Sequence, residues 1–149
     1  YSSAASDVYK RQGVDSSLIG LGVPYGMFDL EDAVMKQTIL AIRKKLQTPS
    51  GGIYRYREDT YYGGSAWILL TAWLGWIESL SGDTQLARER LKWIHNQADE
   101  QGWLPEQVHE YLLAPDYLEK WKKLWGPSAT PLLWSHAMYI ILDKSLQAI

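Results

Sequence analysis

The 149-residue sequence contains no cysteine, which excludes disulfide bonds, thiolate metal sites and cysteine nucleophiles. It also has no sustained basic run, and its formal net charge is −2 at pH 7. A nucleic-acid partner is not expected, because a phosphate backbone requires a concentrated cationic face. The uncharged stretch at residues 63–77 is shorter than the ~20 apolar residues of a membrane-spanning helix, so no membrane span is predicted. With 46% hydrophobic residues, the chain is long enough for one globular domain with a core.

Phenylalanine is nearly absent as well. The chain has one Phe against 8 Trp and 10 Tyr, so almost every aromatic ring carries a polar group. A core that needs only apolar volume would contain more Phe, whereas Trp and Tyr suit places that are apolar on one side and wet on the other. The aromatic composition therefore favours partly solvated positions over a fully buried core.

Residues 1–12 differ from the rest of the chain. They begin without Met and show no helical or strand period, and residues 3–12 resemble translated adapter sequence from assembled short reads. We predict that this segment is foreign to the fold and that the native chain enters the reading frame partway through. Any signal peptide would then belong to the missing part, so the residues leave the cellular compartment open.

From Val14 onward the periodicity is helical and the strand signal is weak. The helical segments are predicted to alternate between inner elements, which are apolar nearly all round, and outer elements, which have one charged face. The first three are an inner segment at 18–23 capped by Asp15, an outer helix from the N-cap Asp29 to Leu46, and an inner helix from Ser65. An outer helix follows from the N-cap Asp83 to about Glu100, with Arg90 among its charged residues. A short helix at 116–124 and a buried inner helix after Pro131 complete the order.

The connections between these elements are unequal. The inner-to-outer connections are short, whereas the outer-to-inner connections at 47–64 and 101–130 are long. Antiparallel hairpins place both long loops on one face, and loops well beyond the ordinary ~4–6 residues are usually functional. Two and a half hairpins would leave apolar inner helices exposed to water, so we predict that the chain is an arc of a larger helical barrel.

The first long loop has the residue types of a sugar-binding site. Residues 51–67 combine four tyrosines, two arginines and two acids with Trp67. Guanidinium and carboxylate groups fix sugar hydroxyls by directional hydrogen bonds, while Tyr and Trp rings stack on the C–H face of a sugar. The residue types alone fit equally well an aromatic loop that packs on its own scaffold.

The second long loop contains an acid in a restrained setting. Glu106 follows Pro105, which restricts its own backbone and that of Leu104. A fixed, ionised carboxylate can act as a general base on a water molecule. Taken by itself, however, a single Glu in a loop is more often an acid that stabilises the following turn.

Other candidates are weaker. His95 is predicted to be solvated on its outer helix, and His109 could line a pocket in the second long loop. Trp121 and Trp125 are predicted to pack that loop rather than to stack on a sugar. The sequence has neither the His-Glu-x-x-His motif of a zinc hydrolase nor the glycines of a nucleophile elbow, so metal and serine hydrolases are unsupported.

Three segments stand in order along the chain. They are Gly-Ile-Tyr-Arg-Tyr-Arg-Glu-Asp-Thr-Tyr-Tyr-Gly-Gly from Gly52 with Trp67 after it, Leu-Pro-Glu-Gln from Leu104, and Pro-Leu-Leu-Trp-Ser-His-Ala-Met-Tyr from Pro131. Together they resemble the last third of the catalytic domain of glycoside hydrolase family 15, the glucoamylases. The resemblance spans about residues 14–142 and is to the prokaryotic branch, including archaeal-type enzymes, which favours a cytoplasmic location. It implies an all-α fold in which residues 13–149 form a C-terminal arc, about five of twelve helices, of an (α/α)6 barrel.

The resemblance also implies a chemistry: inverting hydrolysis of α-glucosidic bonds from a non-reducing end, on an α-glucan or α-glucoside, without a cofactor. Glu106 matches the family's general base. No residue matches the general acid, which lies on an earlier part of the family's barrel, so we expect the isolated chain to be inactive. The residues implied to bind substrate are Tyr54, Arg55, Glu58, Asp59, Trp67 and His136, and for His136 packing and substrate contact are equally open.

Two alternatives stay open. One is an α,α-trehalase or a dextran-cleaving relative. It would share the base, and the loops that set specificity lie outside this chain. A carbohydrate-binding helical toroid that has lost catalysis would not need a positioned base, so Glu106 within Leu-Pro-Glu-Gln argues against it.

Overall fold

The computed structural model describes residues 13–148, which are mostly helical. The predicted foreign segment at 1–12 lies outside these residues. Within the described residues, five α-helices follow one another: α1 (Ala33–Leu46), α2 (Ile68–Leu80), α3 (Thr84–His95), α4 (Leu118–Trp125) and α5 (Leu133–Gln147). Three short 3-10 helices lie at Ser16–Leu21, Tyr61–Gly63 and Pro115–Tyr117. None of the described helices is long and apolar enough to cross a membrane.

The first predicted cap is confirmed and the second is wrong. The Asp15 carboxylate accepts a hydrogen bond of 2.8 Å from the Ser17 backbone N–H and so begins the first 3-10 helix. Asp29 instead accepts 2.8 Å from the N–H of Glu31 in a local turn. Because that turn occupies the Asp29 side chain, α1 begins only at Ala33.

Helix α2 is the centre of the core, as its all-round apolar sequence predicts. It packs against both α3 and α5. A Cβ on Gly75 would lie 2.8 Å from Leu142 Cδ2 and 3.0 Å from the Arg90 Cβ, so only glycine allows the three helices to approach this closely. The fully buried apolar residues of α2 are Ile68, Ala72, Leu74 and Ile77.

Helix α5 is buried on one face only, so the prediction that it is buried all round is wrong for this chain. Ser135, Met138 and Leu142 lie on the buried face, with Leu142 against Gly75 of α2. The opposite face is exposed, and Leu133 has 83% of its surface accessible. The other large exposed side chains of this helix are Trp134, Ile140 and Ile141.

Three two-residue strands, which the sequence did not predict, join the two long loops. They are β1 (Ile53–Tyr54), β2 (Ala66–Trp67) and β3 (Gln107–Val108), and they form an antiparallel sheet in that order. Trp67 pairs with Ile53 on one side and with Gln107 on the other. The sheet confirms that both long loops lie on one face of the helices.

A buried ionic cluster fastens α3 to the rest of the fold. Arg90 was predicted on the solvent face of α3, but it is only 5% exposed. Its guanidinium donates to both carboxylate oxygens of Glu78 at 3.2 Å, to the Gly51 carbonyl at 2.7 Å and to Gln47 Oε1 at 2.8 Å. The prediction is wrong because these acceptors satisfy the fork of donors that would otherwise need water.

Candidate functional site

Glu106 is held by its own backbone at the entry to β3. Its N–H donates to the Ala129 carbonyl at 2.8 Å, and its carbonyl accepts from the N–H of Ile68, the first residue of α2, at 3.2 Å. Its side chain is half-buried, with Oε2 3.5 Å from the Tyr61 hydroxyl. The two predicted loops therefore meet at the predicted base.

The surroundings of Glu106 alter its proton affinity. Burial raises the pKa of the Glu106 carboxyl, while the hydrogen bond from Tyr61 and the positive charge of Arg55 act in the opposite direction. Burial and the charge of Glu106 also raise the pKa of the Tyr61 phenol, which therefore keeps its proton and acts as the donor. A carboxylate with a raised pKa accepts a proton more readily, as a general base requires.

Arg55 is fixed in place by Asp59. The Arg55 guanidinium makes two bonds to this carboxylate, 3.1 Å from Nε to Oδ2 and 2.7 Å from Nη2 to Oδ1. Asp59 is 2% exposed and also accepts 2.9 Å from the Tyr61 backbone N–H. Asp59, predicted as a residue of the sugar-binding wall, therefore lies behind Arg55 and orients both Arg55 and Tyr61.

Aromatic rings surround this ion pair. Tyr61 stacks on Trp67 with centroids 5.7 Å apart, and the Arg55 Cζ lies 5.1 Å from the Trp67 centroid. Trp121 of α4 packs edge-on against Tyr61 at 4.9 Å, which confirms that it packs the loop. Trp125 does not do so, since 74% of its surface is accessible.

A cavity of about 510 Å³ opens beside Arg55 and Trp67. Trp67 is only 8% exposed, and its indole N–H has no hydrogen-bond partner among residues 13–148. Buried donors are nearly always satisfied, so this N–H can serve a bound water or ligand hydroxyl. The cavity is lined further by Asp15, Ser17, Tyr56, Trp73 and Trp134.

Three predicted binding residues have other surroundings. Tyr54 is buried, and its hydroxyl donates to the Tyr111 backbone carbonyl, which joins the two loops. His136 Nε2 accepts 3.0 Å from the Leu104 N–H, which favours packing over substrate contact. Glu58 is exposed and lies beside a small pocket at the edge of the loop.

Two serines that were not selected from the sequence form hydrogen bonds with the residues on either side of Glu106. The Ser135 hydroxyl donates 2.8 Å to the Pro105 carbonyl, and the Ser65 hydroxyl donates 2.5 Å to Gln107 Oε1. Both serines are buried, Ser135 in the first turn of α5 and Ser65 directly before β2. Ser135 lies within the third matched segment, but nothing in its pattern marks it, because serine hydroxyls at helix starts are common.

His109 does not line the cavity beside Arg55 and Trp67. Its ring nitrogens are 3.4 Å from the Ser65 hydroxyl and 3.2 Å from the Ser128 hydroxyl. Burial and the charge of Lys122 lower its pKa. His95 is exposed, as predicted. Within the described part of the chain, no cluster of three or more His, Cys, Asp or Glu side chains is arranged to hold a metal ion.

Comparison with known proteins identifies relatives of one kind. No protein-family profile matches the chain. Over 133 residues it is 47% identical to an isomaltose glucohydrolase of Kribbella flavida, covering 89% of this chain and 34% of that protein. It is 32% identical to a glucoamylase of a Clostridium species, covering 91% of this chain and 20% of that protein. The chain is similar to glycoside hydrolases.

Solved structures agree with these relatives. A glycosidase variant in complex with glucose superposes with a TM-score of 0.89 and 45% identity, over 93% of this chain and 37% of that one. A bacterial glucoamylase complexed with acarbose superposes with a TM-score of 0.70 and 30% identity, over 91% of this chain and 21% of that one. The chain thus spans about a third or less of the length of the proteins that it matches.

Proposed function

We propose that this chain is part of an inverting α-glucosidase of glycoside hydrolase family 15, in which it forms the C-terminal arc of an (α/α)6 barrel. The three matched segments, the mostly helical fold and the similarity to named glycosidases support this assignment. The observation that carries it is the placement of Glu106: a half-buried carboxylate fixed at both sides of its peptide unit, facing Tyr61 and Arg55.

Glu106 would act as the general base. Its carboxylate accepts a proton from the water that attacks the anomeric carbon, while a general acid protonates the departing glycosidic oxygen. In inverting enzymes the two carboxyl groups stand ~6.5–9.5 Å apart on opposite sides of the sugar, which leaves room for that water. The acid would come from the part of the protein that precedes this chain.

Arg55 and Trp67 would hold the sugar beside the base. With two of its donors committed to Asp59 and a third 3.4 Å from the Tyr56 hydroxyl, Arg55 keeps the N–H groups of Nη1 for sugar hydroxyls. The Trp67 indole N–H is a further donor without a partner in residues 13–148. Glu58 would bind from the loop edge, whereas Asp59, Tyr54 and His136 would act by fixing the loops.

The substrate would be an α-glucan or α-glucoside, and the relatives set the order of testing. The relative with 47% identity is named for isomaltose and the one with 32% identity is named a glucoamylase. Isomaltose is therefore the first substrate to test on the full-length protein, followed by maltose and trehalose. Release of β-glucose as the first product, seen by NMR, would identify inversion, whereas α-glucose would contradict it.

The substitution Glu106→Gln tests the base directly. It preserves size and hydrogen bonding but cannot accept the proton, so kcat should fall by ~10²–10⁴-fold with KM nearly unchanged. Glu100→Gln is the matched control, since Glu100 is exposed immediately before the same long loop. A Glu106→Gln enzyme that turns over like the control would refute the assignment.

A further inference from the structure

Three consecutive residues with positive φ form a tight turn behind Tyr61. Tyr62, Gly63 and Gly64 have φ values of 46°, 82° and 66°. A Cβ on Gly64 would lie 2.1 Å from the Asp59 carbonyl oxygen, so that position accepts only glycine. Tyrosine is strained in this region of backbone conformation. Its presence at the first position of the turn therefore indicates a role for the Tyr62 side chain.

The turn fastens both ends of the excursion at 109–128, the part of the second long loop that leaves the sheet after β3. At the start of the excursion, the Gly64 carbonyl accepts 3.1 Å from the Leu113 N–H and the Gly63 carbonyl accepts 2.9 Å from the Ala114 N–H. At its end, the Tyr62 hydroxyl donates 2.9 Å to the Gly126 carbonyl. Glycine or asparagine would relieve the backbone strain at position 62 but would lose this last bond.

Two routes lead from this bond to Glu106. Gly126 lies three residues before Ala129, whose carbonyl holds the Glu106 N–H at 2.8 Å. Helix α4, which ends beside Gly126, carries Trp121. The Trp121 ring stacks on Tyr62 at 5.9 Å and packs edge-on against Tyr61, whose hydroxyl faces Glu106.

We propose that Tyr62 is a positioning residue for the catalytic base: its hydroxyl holds the end of the 109–128 excursion and thereby fixes the backbone and the phenol partner of Glu106. This inference rests on the proposed function of Glu106. Tyr62 itself is buried, and its hydroxyl faces the Gly126 and Pro127 carbonyls. Its effect on the reaction therefore passes through Glu106 and Tyr61.

The substitution Tyr62→Phe in the full-length protein keeps the ring on Trp121 and removes the hydroxyl's bonds to the end of the excursion, 2.9 Å to the Gly126 carbonyl and 3.5 Å to the Pro127 carbonyl. We expect kcat to fall about tenfold, short of the ~10²-fold that a 1 Å misplacement of a reacting group costs. KM should stay within about twofold, because Arg55 and Trp67 are untouched. The acidic limb of the kcat profile should move to higher pH, because a looser Tyr61 lowers the pKa of Glu106 less. Tyr117→Phe is the matched control, since its exposed hydroxyl makes no hydrogen bond within residues 13–148.

Gly126→Ala provides the second variant, which tests the same bond from the other side even if Tyr62→Phe does not fold. Gly126 has φ 82° and open space around its Cβ position, so alanine strains the backbone and displaces the carbonyl without a clash. The double variant should be no worse than the more severe single variant, because both break one bond.

Unchanged kcat and an unchanged acidic limb in Tyr62→Phe would overturn the proposal, as would additive losses in the double variant or a rise in KM that matches the fall in kcat. An assay of α-glucoside hydrolysis by the wild-type protein distinguishes failure of the Tyr62 proposal from failure of the proposed function. If it hydrolyses no α-glucoside, the assignment of the base fails, and Tyr62 positions no catalyst.

Discussion

The substitution Arg90→Met is expected to destabilise the fold strongly, although the sequence places Arg90 on an exposed helix face. It would leave the fully buried Glu78 carboxylate without the two hydrogen bonds that Arg90 donates to it. Removing one member of a buried ion pair costs about 3–5 kcal/mol, because the other charge remains without compensation. Arg43 still donates 2.8 Å to Glu78, which places the expected loss near the lower end, at about 3 kcal/mol.

Urea denaturation of the full-length protein, followed by tryptophan fluorescence, measures this loss. Arg88→Met is the matched control, because Arg88 is exposed on the same helix and its replacement should cost less than about 0.5 kcal/mol. The double variant Arg90→Met/Glu78→Leu should lose less than the sum of its single variants, since no unpaired carboxylate remains. Equal losses for Arg88→Met and Arg90→Met would refute the reasoning.

Arg90 also shows what the sequence could not reveal about this fold. Helical periodicity separates apolar from charged positions. It places four apolar residues on one face of α1, of which Ile39, Ile42 and Leu46 are buried, whereas Val34 is 58% exposed. It assigns every arginine to solvent unless a partner is known. The partner of Arg90 is Glu78, on another helix, and the spacing within α3 carries no information about it.

The short sheet was missed for a different reason. A two-residue strand has no alternation to detect, and each of β1, β2 and β3 is formed by pairing with a segment distant in sequence. The unequal connection lengths nevertheless predicted that the two long loops share a face. Loop length reports which ends of the helices are joined, and that information is independent of strand propensity.

Within the candidate site, the matched segments selected residues but not their orientations. Glu106 and Arg55 were selected, and each of them contacts Tyr61, while their roles stay predictions. Asp59 was selected as a binding residue, yet it points away from the cavity because Arg55 and the Tyr61 N–H occupy its oxygens. Residue type indicates that a carboxylate can bind a hydroxyl, whereas the partner that it takes depends on the backbone path of the loop.

Two further predictions concern the groups around Glu106. Asp59→Asn should raise KM about tenfold and lower kcat less, because Arg55 loses the charge-assisted pair that orients it toward the sugar; a lower kcat with unchanged KM would contradict this role. Tyr61→Phe removes the hydrogen bond that lowers the pKa of Glu106. A base must be ionised to act, so activity is lost as the pH falls through that pKa, and a higher pKa starts the loss at higher pH. The acidic limb of kcat/KM, measured on the full-length protein, should therefore move upward in Tyr61→Phe. A limb that stays in place or moves downward would mean that the phenol and the carboxylate do not interact in the free enzyme, and the second route from Tyr62 to the base would fail with it.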